Sequence, residues 1–284
     1  MQTRSFGDKS WQVPVVGQGS WKLPDGAAAV EGARKALKLG IELGMTHIDT
    51  AEMYGEGHSE EIIAGAIAGL PRDRLFIVSK VLPENASYRG TIQACDRSLS
   101  RLKLEYLDCY LLHWRGSHPV ADTMRAMEEL VVQGKIRALG VSNFDVEDLE
   151  EAQQALTKEK LACNQVLYHL WERGIEHSLL PYCKRKSISV VGYTPFGQRK
   201  LPGQESNEGA ALSAVAAKHG ATVAQIALAF LVRLDATFTI PKASSEEHVR
   251  ANAGAGAIKL DDEDIAKIDA AFPAPRGRKP LAWA

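Results

Sequence analysis

Seven short apolar runs, each ending in a polar residue, recur along this chain at nearly even intervals. They end near Asp49, Lys80 (LFIVSK), His113 (LDCYLLH), Ser142 (KIRALGVS), Gln165 (LACNQ), Tyr193 (ISVVGY) and Lys242 (TFTIPK). Neighbouring ends lie 23 to 33 residues apart, and the last pair 49 apart. A strand, a polar loop and a helix fill an interval of that size, so each reads as one strand–helix unit. The long last interval leaves room for an extra helix. Val13-Pro14-Val15-Val16-Gly17 supplies an eighth strand, ahead of a helix around residues 27–43.

Strands alternating with helices form a parallel sheet, either open and doubly wound or closed into a barrel. An open nucleotide-binding sheet carries Gly-x-Gly-x-x-Gly after its first strand. Here Gly17-Gln18-Gly19-Ser20-Trp21-Lys22 puts lysine at the third glycine, and Trp21 would crowd a pyrophosphate. Eight regular units fit a single (β/α)8 TIM barrel better, and 284 residues suit one such domain spanning residues 1–284. Helix starts are marked in the same register. Ser59 with Glu60-Glu61 reads as an N-cap with an acidic first turn, and Thr222 with Gln225 as a capping box. Asp145 and Ser245 are further N-cap candidates.

Composition narrows the functional classes. A formal net charge of -1 provides no basic field for nucleic acid or an anionic membrane. The run Arg276-Gly277-Arg278-Lys279 reads as a solvated tail rather than a binding arm. Cys95, Cys109, Cys163 and Cys183 show no Cys-x-x-Cys or zinc spacing, and Cys109 and Cys163 read as small core residues. The first six residues lack the pattern of a signal peptide, and no apolar run reaches the ~18 residues of a membrane span. The expectation is a cytoplasmic protein.

In a barrel of this kind the site forms at the C-terminal ends of the strands. Asp49, Lys80, His113, Asn143 and Gln165 all fall at strand ends, with Tyr54 on an adjoining loop. Singly, each has an ordinary structural reading. Asp49 could cap a turn, Tyr54 could cover apolar surface, Lys80 could snorkel to solvent, and His113 could be a satisfied core histidine. Together they make a chemistry. A phenol titrates near ~10, and a neighbouring ammonium lowers that value. Lys80 beside Tyr54, with Asp49 neutralising Lys80 and His113 binding a carbonyl oxygen, assembles an acid, its activator, an anchor and an orienter. A metal centre on His47, Asp49 and His113 is the competing arrangement, since residues 47 and 49 share a strand face. It lacks a fourth ligand at another strand end, and lysine there would repel a cation. The expected metal is therefore none.

The ordered segments HIDTAEMYG, VSK, LLHW, GVSNF, NQVLYH and IPKASS resemble the successive motifs of the aldo-keto reductases over the whole chain. Length and texture are similar to compact bacterial members that reduce small aldehydes and α-oxoaldehydes such as methylglyoxal. The resemblance implies a catalytic tetrad of Asp49, Tyr54, Lys80 and His113, with Tyr54 as general acid. It implies that Ser142, Asn143 and Gln165 hold the nicotinamide carboxamide, that Tyr193 stacks on its ring, and that Gly19 and Ser20 belong to the cofactor loop. Trp21 and Trp114 would line the substrate pocket with Tyr54 and His113. Lys242, Ser244, Ser245 and His248 would meet the 2′-phosphate of NADPH. His248 stands where many members carry arginine, which weakens the NADPH preference without reversing it and leaves NADH use open.

The resemblance further implies a monomer acting on a small carbonyl substrate, with a loop over residues 197–209 that folds across the cofactor. The short tail after residue 279 suggests an open, permissive pocket. Two other classes compete with the reductase: a cofactor-binding, redox-sensing regulatory subunit of the same fold, and a metal-dependent barrel hydrolase.

Overall fold

Strand segments buried on both faces need cover on both, and the sheet obtains it by curling. The computed structural model describes residues 1–283. Eight parallel strands lie side by side in chain order: β3 (Gln18–Gly19), β4 (His47–Asp49), β5 (Phe76–Val81), β6 (Cys109–Leu112), β7 (Leu139–Ser142), β8 (Leu161–Leu167), β9 (Ser189–Tyr193) and β10 (Thr237–Thr239). The two ends of the sheet meet at three backbone hydrogen bonds. Gly17 N donates to Thr239 O at 2.8 Å, Thr239 N to Val15 O at 2.9 Å and Gly19 N to Pro241 O at 3.1 Å.

Side chains alternate across each strand, so one strand feeds two cores. Phe76, Val78, Cys109, Leu111, Cys163, Val191 and Phe238 form the inner cluster. Ile48, Ile77, Tyr110, Leu112, Val141 and Val190 face the helices. Gly140 leaves space inside, because a Cβ there would lie 2.6 Å from Cys163 O. The helices follow the strands: α1 (Ala27–Glu42), α2 (His58–Ile67), α3 (Tyr88–Leu102), α4 (Val120–Val132), α5 (Val146–Ala155) and α6 (Leu179–Lys186). The long interval before β10 holds both α7 (Asn207–His219) and α8 (Val223–Leu231), and α9 (Glu246–Ala255) and α10 (Asp262–Ala271) close the chain. Capping boxes start α5 at Asp145 and α8 at Thr222, and Ser245 caps α9 by accepting from His248 N. Among the described residues no single helix is long and apolar enough to cross a membrane.

Three local expectations are corrected. The run Val13–Gly17 is divided: Gln12–Pro14 is β2, paired antiparallel with β1 (Thr3–Ser5), Val16 bridges Thr239 in parallel, and the named parallel strand is Gln18–Gly19. This hairpin brings Phe6 under the sheet, with ring centroids 4.7 Å from Phe76 and 5.3 Å from Phe238. Its apolar residues thus serve as a plug, which alternation alone cannot distinguish from a strand. Strand β10 stops at Thr239, three residues before Lys242. Helix α2 begins at His58 behind left-handed Gly57, and Ser59 donates its hydroxyl to Ser20 O at 3.1 Å instead of capping.

Candidate active site

Continuing the inward-facing positions upward turns the apolar cluster polar. Two residues beyond Val78 stands Lys80, two beyond Cys163 stands Gln165, two beyond Val191 stands Tyr193, and Asp49 stands two beyond His47 on β4. Register brings them together: Lys80 pairs with Leu111, Ser142 with Gln165, and Gln165 with Val191. Lys80 and Asp49 are essentially without solvent exposure. Lys80 Nζ donates to Asp49 Oδ1 at 2.6 Å and to Thr50 O at 2.8 Å, and lies 3.4 Å from the Tyr54 hydroxyl. Gln165 Nε2 donates to the other Asp49 oxygen at 2.7 Å.

Tyr54 is delivered by a strained loop. It opens a 3-10 turn (Tyr54–Gly57) in which Gly55, Glu56 and Gly57 have φ of 59°, 54° and 95°. Only glycine adopts these values without penalty, so Glu56 carries local strain. Buried acids hold the loop. Glu52 accepts from Leu82 N at 2.8 Å and Asn85 Nδ2 at 2.9 Å. Glu60 accepts from Ser79 Oγ and Arg101 Nε, both at 2.6 Å. The Arg101 guanidinium lies against Gly57, where a Cβ would stand 2.4 Å from Nε. From the sequence Glu60 reads only as a first-turn acid, and nothing singles out Glu52 or Arg101. Their partners lie 19 to 45 residues away, out of reach of any local pattern.

Burial sets the electrostatics. Burial pulls Lys80 down, but Asp49 and Tyr54 outweigh it, so the ammonium is held above its ordinary range. Burial pushes the Asp49 carboxyl up, against Lys80 and Gln165. It also pushes the Tyr54 phenol up; Lys80 opposes that rise, Asp49 adds to it, and the net direction is upward. This is opposite to the fall expected from a neighbouring ammonium, because desolvation of a phenolate outweighs one partly neutralised cation. His113 is driven down to about 2, by burial first and Lys80 second, and is a neutral imidazole at neutral pH. Its ring sits 5.7 Å from Tyr54 and 4.7 Å from Trp114.

Above this group opens a cleft of about 570 Å³. Gly19, Ser20, Trp21, Asp49, Tyr54, His113, Trp114, Ser142, Asn143, Gln165, Tyr193 and Lys242 all line it. Lys80 lies beneath, while Ser244, Ser245 and His248 lie outside the lining, exposed at the start of α9 just beyond Lys242. Asn143 adopts a left-handed backbone (φ 61°), a conformation asparagine tolerates. It joins three strand ends, donating to His113 O at 3.1 Å and Ser142 Oγ at 3.0 Å and accepting from the Tyr193 hydroxyl at 2.8 Å. Ser142 Oγ donates to Gln165 O at 2.9 Å. The cleft also includes Gln198, from the loop expected to fold across the cofactor, and Met53, Phe196, Ile240 and Trp283, which no sequence pattern singles out. Trp283 sits in an irregular tail with no periodic signal to place it.

The competing metal arrangement does not form. His47 is fully buried among Phe6, Phe76 and Phe238, with both ring nitrogens lacking a protein partner. Asp49 is already taken by Lys80 and Gln165, and no group of three potential ligands occurs among the described residues.

Residues 15–272 match the model of the aldo/keto reductase family. Methylglyoxal reductase YeaE of Escherichia coli (strain K12) is 43% identical over 269 residues, 95% of this chain and 94% of that protein. Glyoxal reductase of Bacillus subtilis (strain 168) is 39% identical, over 91% of this chain and 89% of its own. The crystal structure of an aldo/keto reductase from Klebsiella pneumoniae in complex with NADP and acetate superposes with a TM-score of 0.91 at 44% identity, covering 100% of this chain and 99% of that one. A second Klebsiella pneumoniae structure, in complex with NADPH, gives 0.92 at the same identity, with the same coverage of both chains. The chain therefore belongs to the aldo/keto reductase family.

Proposed function

We propose that this protein reduces small aldehydes and ketones, α-oxoaldehydes such as methylglyoxal among them, to alcohols with NADPH. The observation that carries the reading is the Lys80 ammonium 3.4 Å from the Tyr54 hydroxyl at the floor of the cleft, anchored by Asp49 at 2.6 Å. The relatives named as methylglyoxal and glyoxal reductases, and the Klebsiella structures holding NADP or NADPH, support the substrate class and the cofactor. The redox-sensing regulatory alternative draws no support from these relatives.

When bound, the nicotinamide supplies a hydride to the carbonyl carbon. Tyr54 gives its proton to the carbonyl oxygen, and the phenolate left behind is stabilised by Lys80. A phenol pushed up by burial stays protonated at neutral pH, the state an acid catalyst needs. Lys80 keeps its proton because Asp49 does not let it go. Neutral His113 hydrogen-bonds the carbonyl oxygen and directs it toward Tyr54. Ser142, Asn143 and Gln165 hold the carboxamide, Tyr193 packs on the ring, and Gly19 and Ser20 border the cofactor path. Gly19 admits close approach, since a Cβ there would stand 2.6 Å from Ile240 O. Lys242 and the N-terminus of α9, with Ser244, Ser245 and His248, would take the 2′-phosphate through charge and free N–H groups. The fit is good: Lys242 is exposed at the cleft and pairs with no carboxylate among the described residues. NADH would fit the same cleft without using these groups.

The same reading treats the chain as one domain whose sheet closes into a (β/α)8 barrel, supported by the hydrogen bonds from Gly17 and Gly19 to the last strand region. It takes the protein as a cytoplasmic monomer with no nucleic-acid or membrane partner, and the loop ahead of α7 as a clasp over the cofactor, supported by Gln198 at the cleft. Replacing Tyr54 by Phe is expected to leave NADPH binding intact and lower methylglyoxal turnover by about 10²–10⁴-fold. Parental turnover in that variant would refute the assignment of the acid.

A further inference from the structure

The tail after α10 runs to the cleft and is fastened on the way. Arg278 donates to Glu147 Oε1 at 2.7 Å, to Glu147 Oε2, and to Asp145 Oδ2 at 2.9 Å. The oxygens are partitioned. Asp145 Oδ1 accepts from Val146 N at the start of α5, leaving Oδ2 for Arg278. Asp148 is engaged by the capping box and by Arg115. Helix α5 is itself fixed, since Leu149 and Ala152 are fully buried. The run 276–279 is exposed, as a solvated tail should be, and is tied to the surface at Arg278.

Beyond it, Pro280, Leu281 and Ala282 lie over a narrow crevice shared with Leu167, Ile175 and Leu179, too small to admit more than a water. Trp283 then becomes part of the cleft wall while remaining half-exposed. The indole stands five positions beyond the clamp, a reach of up to ~17 Å if the chain swings free. The Arg278 clamp fixes the base of that tether, and the seating of Pro280, Leu281 and Ala282 over the crevice continues from it toward the cleft.

We propose that Arg278 is a positioning residue that sets substrate selectivity by holding the Trp283 indole as a wall of the cleft. The wall favours carbonyl compounds carrying an aromatic or extended apolar group, which can cover the indole. A three-carbon α-oxoaldehyde is too short to exploit it. The inference rests on the reductase reading, so methylglyoxal serves as the control and benzaldehyde as the probe.

Arg278→Ala is expected to raise KM for benzaldehyde about tenfold at unchanged kcat, with methylglyoxal kinetics and the NADPH dissociation constant at parental values. Trp283→Ala should raise the benzaldehyde KM similarly, and the double variant no further, because both act through one indole. Arg278→Lys should recover part of the effect, since one ammonium cannot match the two-carboxylate fork. Raising salt to about 1 M, where the Debye length is about 3 Å, should raise the benzaldehyde KM of the parent but not of Arg278→Ala. A parental benzaldehyde KM in Arg278→Ala, additive effects in the double variant, or a changed NADPH affinity would overturn the clamp. Absence of methylglyoxal reduction in the parent would instead overturn the reductase reading.

Discussion

His47 and Asp49 stand two residues apart on one short strand, face the same way and are both almost completely buried, yet they belong to different worlds. His47 lies among phenylalanine rings in the lower interior, with neither nitrogen partnered, and is driven down to about 3 by burial and then by Lys80. Asp49 accepts from Lys80 on one oxygen and from Gln165 on the other. The same step separates Cys163 from Gln165 and Val78 from Lys80. Burial alone therefore does not make a site. His47, with no partner in the apolar layer, sheds its charge, whereas Asp49 in the next layer is held by an ammonium and an amide at the floor of the cleft.

The comparison breaks most sharply at Lys80. Lys80→Met leaves the Asp49 carboxylate buried with Gln165 alone, and is expected to cost about 3–5 kcal/mol of unfolding free energy. Turnover should fall with it, and a double variant that also carries Asp49→Asn should regain part of the stability in urea unfolding. Equal stability of the single variant and the parent would mean that the pair is not the strut the geometry describes.

The lower layer predicts a pH dependence. A histidine held neutral at a pKa of about 3 when folded, against an ordinary ~6.5 when unfolded, makes the unfolded state bind more protons between those values. Stability is then full above about pH 6.5 and falls as pH drops toward 3, by up to about 1.4 kcal/mol per pH unit. His113, driven to about 2, acts in the same direction. Urea midpoints measured across pH 7 to 4 in the parent and in His47→Leu should diverge, the variant being the flatter. Coincident curves would remove His47 from the account.

The smallest effect sharpens the contrast at neutral pH. His47→Leu removes two unpartnered nitrogens from an apolar layer and should raise unfolding free energy by about 1 kcal/mol, with methylglyoxal turnover unchanged. A loss of turnover would show that the apolar layer reports to the site above it.

Much of this was legible beforehand. The recurrence of strand and helix, the polar strand ends, and the caps at Thr222, Asp145 and Ser245 are short-range signals, written in residues within a few positions of one another. They were enough to gather Asp49, Tyr54, Lys80 and His113. Reading failed where the deciding neighbour is remote. Val13 reads as part of the parallel sheet because a hairpin strand and a parallel strand share one pattern, and Ser59 reads as a cap because its partner Ser20 is remote in sequence.

By itself the sequence determined the repeating unit, the inward alternation that stacks a polar layer on an apolar one, and which polar side chains would gather where the strands end, since each follows from periodicity and residue chemistry. Only the tertiary structure decided that Gln165 would bind Asp49 across 116 positions, that Arg278 would reach Asp145 across 133, and that burial would lift Tyr54 despite its ammonium neighbour. Hydrogen bonds and desolvation depend on what surrounds an atom in space, and a barrel-like winding makes neighbours of residues that the chain itself keeps far apart.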